Sequence, residues 1–171
     1  MKLNVGCGRH VLDGWTNVDI QRSPRAKRDP EIFADVKQIP LPDECADELM
    51  AIHVFEHFYR WEAEAVLAEW RRLLKPSGKI ILELPDLEKC CRNVIDGNLK
   101  GGKDIDQLGM WGLYGDPREK DPYMIHRWAW TPKTLGNLLV ANGFRAVREK
   151  PTEWHPAGRA HRDMRLEAFK A

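Results

Sequence analysis

Apolar residues in this chain fall into short runs that alternate with amphipathic stretches. Leu3–Val5, Asn17–Ile20 and Ile32–Val36 read as strands, and Asp47–His53 contains a fourth run, Leu49-Met50-Ala51-Ile52. From Trp61 to Leu74 the period changes, and Ala63, Val66, Leu67, Trp70, Leu73 and Leu74 mark one face of a helix. Lys75-Pro76-Ser77-Gly78 stops that helix. Lys79–Leu84 follows, apolar on both faces as a central parallel strand should be. Thr131-Pro132 supplies an N-cap and a first helical residue, Leu135, Leu138 and Leu139 a stripe, and Gly143 a stop. Phe144–Glu149 and Met164–Phe169 read as two closing strands.

This alternation predicts an α/β fold with a doubly wound, mostly parallel sheet in a single domain, residues 1–171. Such sheets bind ligands beyond the carboxyl ends of their strands. Only Gly6–Thr16 separates the first two strands, near the lower limit for a parallel crossover. The first helix is therefore expected to be a turn or two at most. From about residue 98 to 130 the alternation breaks off, with Gly97, Gly101, Gly102, Gly109, Gly112 and Gly115 in or beside the gap. A loop of that length inside a compact domain is usually functional, so this segment is read as an inserted loop or lid.

Composition narrows the partners. Lys and Arg number 27 against 26 Asp and Glu, so no general attraction to nucleic acid or to a membrane is expected. The apolar runs in the strands, such as Leu49-Met50-Ala51-Ile52 and Ile80-Ile81-Leu82, are far too short to span a bilayer. Cys7, Cys45, Cys90 and Cys91 show no disulfide framework and no C-x-x-C, and Met1 leads directly into a strand with no leader pattern. A reduced, cytoplasmic setting is the expectation.

The candidate chemistry begins where the first strand runs into Gly6-Cys7-Gly8 and the second ends on Asp19. Glycines there let a ligand approach the backbone, and an acid ending the next strand can accept from a ribose diol. Cys7 suits the turn by its small size. The third glycine of the dinucleotide fingerprint is missing, and no phosphate-cradling G-x-x-x-x-G-K-[ST] is present. His53-Val54-Phe55-Glu56-His57 matches the inverted zinc-protease pattern H-x-x-E-H. That chemistry needs both histidines on one helical turn and a third ligand, neither of which the sequence supplies, so no metal is assigned.

Taken in order, Leu3–Gly8, Gly14–Asp19, Ala34–Val36 with Ile39–Pro42, His53–His57, Leu73–Leu84 and Leu135–Phe144 resemble the class I S-adenosylmethionine-dependent methyltransferases. The likeness is to the small type-11-like group with an LNVGCG motif, and it implies a seven-stranded Rossmann-like sheet and that cofactor. It also implies roles. Asn4 shapes the glycine turn, Gly6, Cys7 and Gly8 border the methionine portion, and Asp19 with Ile20 meets the ribose. Asp35 and the Val36 backbone read the adenine edge, and His53 lies near the sulfonium with His57 close behind. In the family the acceptor site forms around the inserted loop, here near Tyr114, Tyr123, His126, Trp128 and Trp130. Such an aromatic cluster equally fits an oligomer interface, which leaves a homodimer open.

A methyl acceptor carrying a hydroxyl or amine must lose a proton, and His126, His57 and Asp86 are the candidate bases, His126 first by its loop position. The expected acceptor is a small molecule or sugar. RNA or DNA methylation is disfavoured by the charge balance and by the lack of an N/D-P-P-Y/F tetrapeptide. The rival class is a cofactor-binding partner subunit without activity.

Overall fold

The structure, a computed structural model, describes residues 1–97, 107–116, 120–154 and 161–171. Its strands are β1 (Lys2–Val5), β2 (Thr16–Asp19), β3 (Ile32–Phe33), β4 (Ala46–Ile52), β5 (Leu74–Pro85), β6 (Phe144–Lys150) and β7 (Asp163–Lys170). Its α-helices are α1 (Ala63–Leu73), α2 (Leu87–Ile95), α3 (Gln107–Tyr114) and α4 (Pro132–Ala141). The seven strands form one sheet in the order β3-β2-β1-β4-β5-β7-β6. The first five run parallel, and β7 lies antiparallel between β5 and β6. The expected topology is therefore present.

Strand alternation divides the sheet into two unlike faces. Leu3, Val5, Val18, Leu49, Ala51, Ile80, Leu82, Leu84, Leu166 and Ala168 share one apolar core with Val66, Leu67, Trp70 and Leu73 of α1 and Leu135, Leu138 and Leu139 of α4. The intervening positions are mostly polar. Asn4, Asn17, Glu83 and Arg165 are buried there. Beside them Lys79 pairs with Glu48 at 3.4 Å, and Arg165 with Glu167 at 2.8 Å. The chain after β6 covers part of this face: the Glu153 and Trp154 amides donate to the Glu83 carboxylate at 3.1 and 3.2 Å, and the Trp154 ring meets His10 edge-on.

The β1–β2 and β2–β3 crossovers contain no helix, so the shortened first helix is reduced to a turn. Asn17 does a helix's work of holding the first crossover. Its Nδ2 donates to the carbonyls of Leu12 and Trp15, and its Oδ1 accepts from Leu12 N and Asn4 Nδ2. Glu31 then accepts from both the backbone N and Nδ2 of Asn17, each at 2.7 Å. In the loop between β2 and β3, Arg28 pairs with Glu31 and Asp13, and Arg22 with Asp29.

Elsewhere the local signals hold with small shifts. Thr131 and Thr134 form a capping box ahead of Pro132, and Gly143 follows the α4 C-cap with φ +80°. Lys75–Gly78 does not separate α1 from the next strand. Leu74 already pairs with Ala46 and Lys79 with Glu48, so these residues form a bulge inside β5. Among the described residues, no helix is long and apolar enough to cross a membrane.

Candidate active site

The carboxyl ends of β1 and β2 meet at the glycine turn. Gly6 and Gly8 both have positive φ, +64° and +52°, a backbone region open to glycine at little steric cost. A side-chain carbon on Gly6 would lie 2.5 Å from Val54 Cγ2, so this glycine also lets the turn close onto the segment after β4. On Gly8 the same carbon would meet open space. The Gly8 N–H donates to Asp19 Oδ2 at 2.7 Å, and Gln21 N–H donates to Oδ1 at 3.3 Å. Ile20 and Phe33 stand exposed beside this acid.

The neighbouring sequence candidates fall around the same turn. Asn4 Nδ2 donates to the His10 carbonyl at 2.9 Å and to Asn17, which ties the turn to both strands. Cys7 is buried, and burial, with the charges of Asp19 and Glu31, pushes its thiol up to about 12, so it stays protonated. Asp35 follows β3, whose end is joined to Asp19 by the Ala34 N–H on the Asp19 carbonyl. Its Oδ1 accepts from Lys37 N. The Val36 carbonyl accepts from the Trp70 indole at 2.9 Å, so of its backbone only the N–H is left to face a ligand.

A second group gathers after β4. His53 has φ +54°, its N–H donates to Glu83 O, and its ring bridges two carboxylates, Glu56 at 3.0 Å and Asp163 at 3.2 Å. Burial pushes this imidazole down, but the hydrogen bonds and charges of Asp163 and Glu56 prevail and hold it at about 9. Burial likewise pushes both acids up, and the charged His53 reverses it, leaving each at about 2; Arg162, 2.8 Å from Asp163, assists there. The His53 side chain is thus committed to a buried ion network, and only its backbone faces the turn.

His126, 69 positions beyond His57 in the chain, comes to rest against it. The two rings meet edge-on at 4.9 Å, and His126 Nε2 lies 3.9 Å from Glu56 Oε1. His57 Nδ1 donates to the Ile125 carbonyl at 3.1 Å, and His126 Nδ1 to the Gly112 carbonyl at 3.0 Å. The N–H groups of Arg127 and Trp128 donate to Glu56 O, which stitches the loop to the motif. Burial pushes the His126 imidazole below its ordinary range despite the nearby Glu56, so it is neutral at neutral pH. Farther along the loop, Gln21 Nε2 donates to Asp121 Oδ2 at 3.1 Å. Residues 121–128 therefore reach from the Asp19 side of the sheet to the His57 side.

Two candidates lie elsewhere. Asp86 caps α2, its Oδ1 accepting from Glu88 N at 3.0 Å, and burial pushes its carboxyl up. Trp130 is buried against Phe55, with ring centres 5.5 Å apart, and belongs to the core. Tyr114, Tyr123 and Trp128 remain exposed. The parts of the inserted segment at 98–106 and 117–119 lie outside the described residues.

Residues 3–82 match the family model of the methyltransferase domain. With the sheet order and the glycine turn, this matched stretch supports a class I S-adenosylmethionine-dependent methyltransferase. A methyltransferase from Archaeoglobus fulgidus shares the fold at TM-score 0.64 and 18% identity, over 99% of this chain and 85% of that one. A possible histamine N-methyltransferase from Thermotoga maritima matches at TM-score 0.63 and 18% identity, over 99% and 82%. The 1,6-didemethyltoxoflavin N1-methyltransferase of Burkholderia thailandensis, solved with its substrate and S-adenosylhomocysteine, matches at 0.63 and 16%, over 99% and 70%. No curated protein matches the chain in sequence.

The methyltransferase domain takes S-adenosylmethionine as its methyl donor. The turn fits that donor: a side chain on Gly8 would occupy the open space above the backbone, and the acid beside it suits a diol. Three residues that matter here escape the motif reading. Asn17 and Glu31 hold the crossover, and Asp163 anchors His53. Asn17 at least leaves a trace in the sequence, an amide midway along an apolar strand in register with Asn4.

Proposed function

We propose that this methyltransferase alkylates an oxygen or nitrogen of a small-molecule or sugar-like acceptor seated between the His53–His57 motif and residues 121–128. The reach of that segment from Gln21 to His57 supports this reading, because it brings residues 121–128 beside the strand ends where an acceptor must meet the donor. Asp19 holds the ribose hydroxyls, with Ile20 and Phe33 as apolar walls for the adenine. Asp35 and the Val36 N–H read the adenine edge, and Gly6, Cys7 and Gly8 border the methionine portion.

When bound, S-adenosylmethionine supplies an electrophilic methyl group on a sulfonium. The chain's part is to hold the acceptor in line with it and to exclude water, an effect of positioning. The acceptor's proton is dealt with at the Glu56–His57–His126 cluster. Asp86, occupied as a helix cap, takes no part.

Transfer of labelled methyl from S-adenosylmethionine to a panel of small alcohols, phenols, sugars and amines tests the reading. Incorporation into a small acceptor, reduced at least tenfold in H126A with S-adenosylhomocysteine affinity within threefold of the parent, is the expected result. Labelling confined to RNA or protein would overturn it.

A further inference from the structure

The Glu56–His57–His126 cluster has features that proton transfer alone leaves unexplained. One ligand-type atom from each residue lies within 4.8 Å of the others. Glu56 is 2% exposed, and among the described residues its Oε2 has no hydrogen-bond partner. An orphan carboxylate oxygen in such a place is costly unless something positive is meant to meet it. Both imidazoles are also fixed in one tautomer. A carbonyl can only accept, so the Nδ1 atoms facing Ile125 O and Gly112 O carry protons, and Nε2 is the nitrogen each ring can offer to a ligand. This arrangement, a ring N–H tied to a backbone carbonyl behind the ligating nitrogen, is the outer-shell support seen around metal-bound histidines.

We propose that Glu56, His57 and His126 bind a divalent first-row transition-metal ion. Two imidazoles and one carboxylate suit such ions and leave coordination positions open for an exogenous oxygen. The third ligand that the H-x-x-E-H spacing lacked is His126, delivered by the inserted segment, while His53 stays in its ion network and does not ligate. Metal binding stands on this geometry alone; the ion's task rests on the methyl-transfer reading. The ion selects an acceptor with an oxygen donor and lowers that hydroxyl's pKa. The hydroxyl proton passes to water, the oxygen forms its bond to the methyl carbon, and the electron pair of the broken carbon–sulfur bond stays on sulfur.

The test uses the untagged chain, stripped with EDTA and titrated with Co²⁺ and with Zn²⁺. Saturable binding of one equivalent is expected, with visible Co²⁺ absorption bands, and a dissociation constant at least about 100-fold weaker in H126A and E56Q. Glu56 is buried and E56Q risks misfolding, so half-exposed H57A carries the same expectation, with S-adenosylhomocysteine affinity as the check on its fold. Binding of neither ion, or unchanged binding in H57A and H126A, overturns the site. A chain that binds S-adenosylhomocysteine and methylates an acceptor with EDTA present loses the metal proposal and keeps the proposed function. A chain that binds Co²⁺ through these residues but methylates no small acceptor does the reverse.

Discussion

Asp19 Oδ2 accepts the Gly8 backbone N–H at 2.7 Å, so the acid and the glycine turn form one unit across the ends of two neighbouring strands. Asp19→Ala removes the acceptor of the Gly8 N–H, which the proposed function also assigns to the ribose. A hydrogen bond to a charged group contributes about 1.5–3 kcal/mol, so the dissociation constant for S-adenosylhomocysteine should rise roughly 10–150-fold by calorimetric titration. Asp19→Asn, which keeps an acceptor oxygen, should lose less. An affinity unchanged in Asp19→Ala would remove this residue from the cofactor site.

The two glycines should respond differently to alanine. At Gly6 a methyl group meets both the positive φ and Val54, at about 1–2 kcal/mol for the backbone and about 1–3 kcal/mol for the clash. Adding Val54→Ala should recover only the second part, visible as coupling in a double-mutant cycle by urea unfolding. At Gly8 only the backbone cost applies, so Gly8→Ala should remain folded while losing cofactor affinity. Equal stability losses at the two positions would contradict the packing described here.

Asn17→Ala should be among the most destabilising single changes in the chain. It strips partners from Leu12, Trp15, Asn4 and Glu31 at once, in a buried network where each unsatisfied group costs about 1–3 kcal/mol. Urea unfolding should show a loss of at least about 3 kcal/mol on that count. A loss under about 1 kcal/mol would mean that the helix-free crossover is held by something else.

Acid should loosen the same crossover. Burial pushes the Glu31 carboxyl up, but hydrogen bonds from Asn17 N, Asn17 Nδ2 and Arg28 outweigh it and bring it to about 2 from an ordinary 4.5. A lowered carboxylate stabilises the fold fully above its unfolded value, and that contribution disappears as pH falls through the folded value. The window is therefore pH 4.5 down to about 2. Because Glu31 is 40% exposed, the effect is smaller than the full shift implies. Thermal melts of Glu31→Gln should show a shallower decline across this window than the parent, and identical slopes would exclude the linkage.

Much of the fold was legible because it follows from local patterns. The strand runs, the α1 stripe and the Thr131-Pro132 start each reflect burial or capping within a few residues, and all appear close to their expected positions. The bulge at Lys75–Gly78 did not show, because the same proline and glycine chemistry serves to end a helix or to kink a strand, and pairing with Ala46 decides between them. Asp86 reads as a possible base by its place after a central strand, whereas the start of α2 uses its carboxylate as a cap.

The sequence by itself determined the methyltransferase resemblance, the glycine turn and the acid beside it, because those residues act through backbone geometry at strand ends that periodicity already marks. Only the tertiary structure decided what Gly8 and Asp19 share, that Asn17 and Glu31 stand in for a missing helix, and that His126 lies against His57 and Glu56. Contacts between residues so far apart in the chain depend on how the inserted segment returns over the sheet, and no local spacing encodes that path.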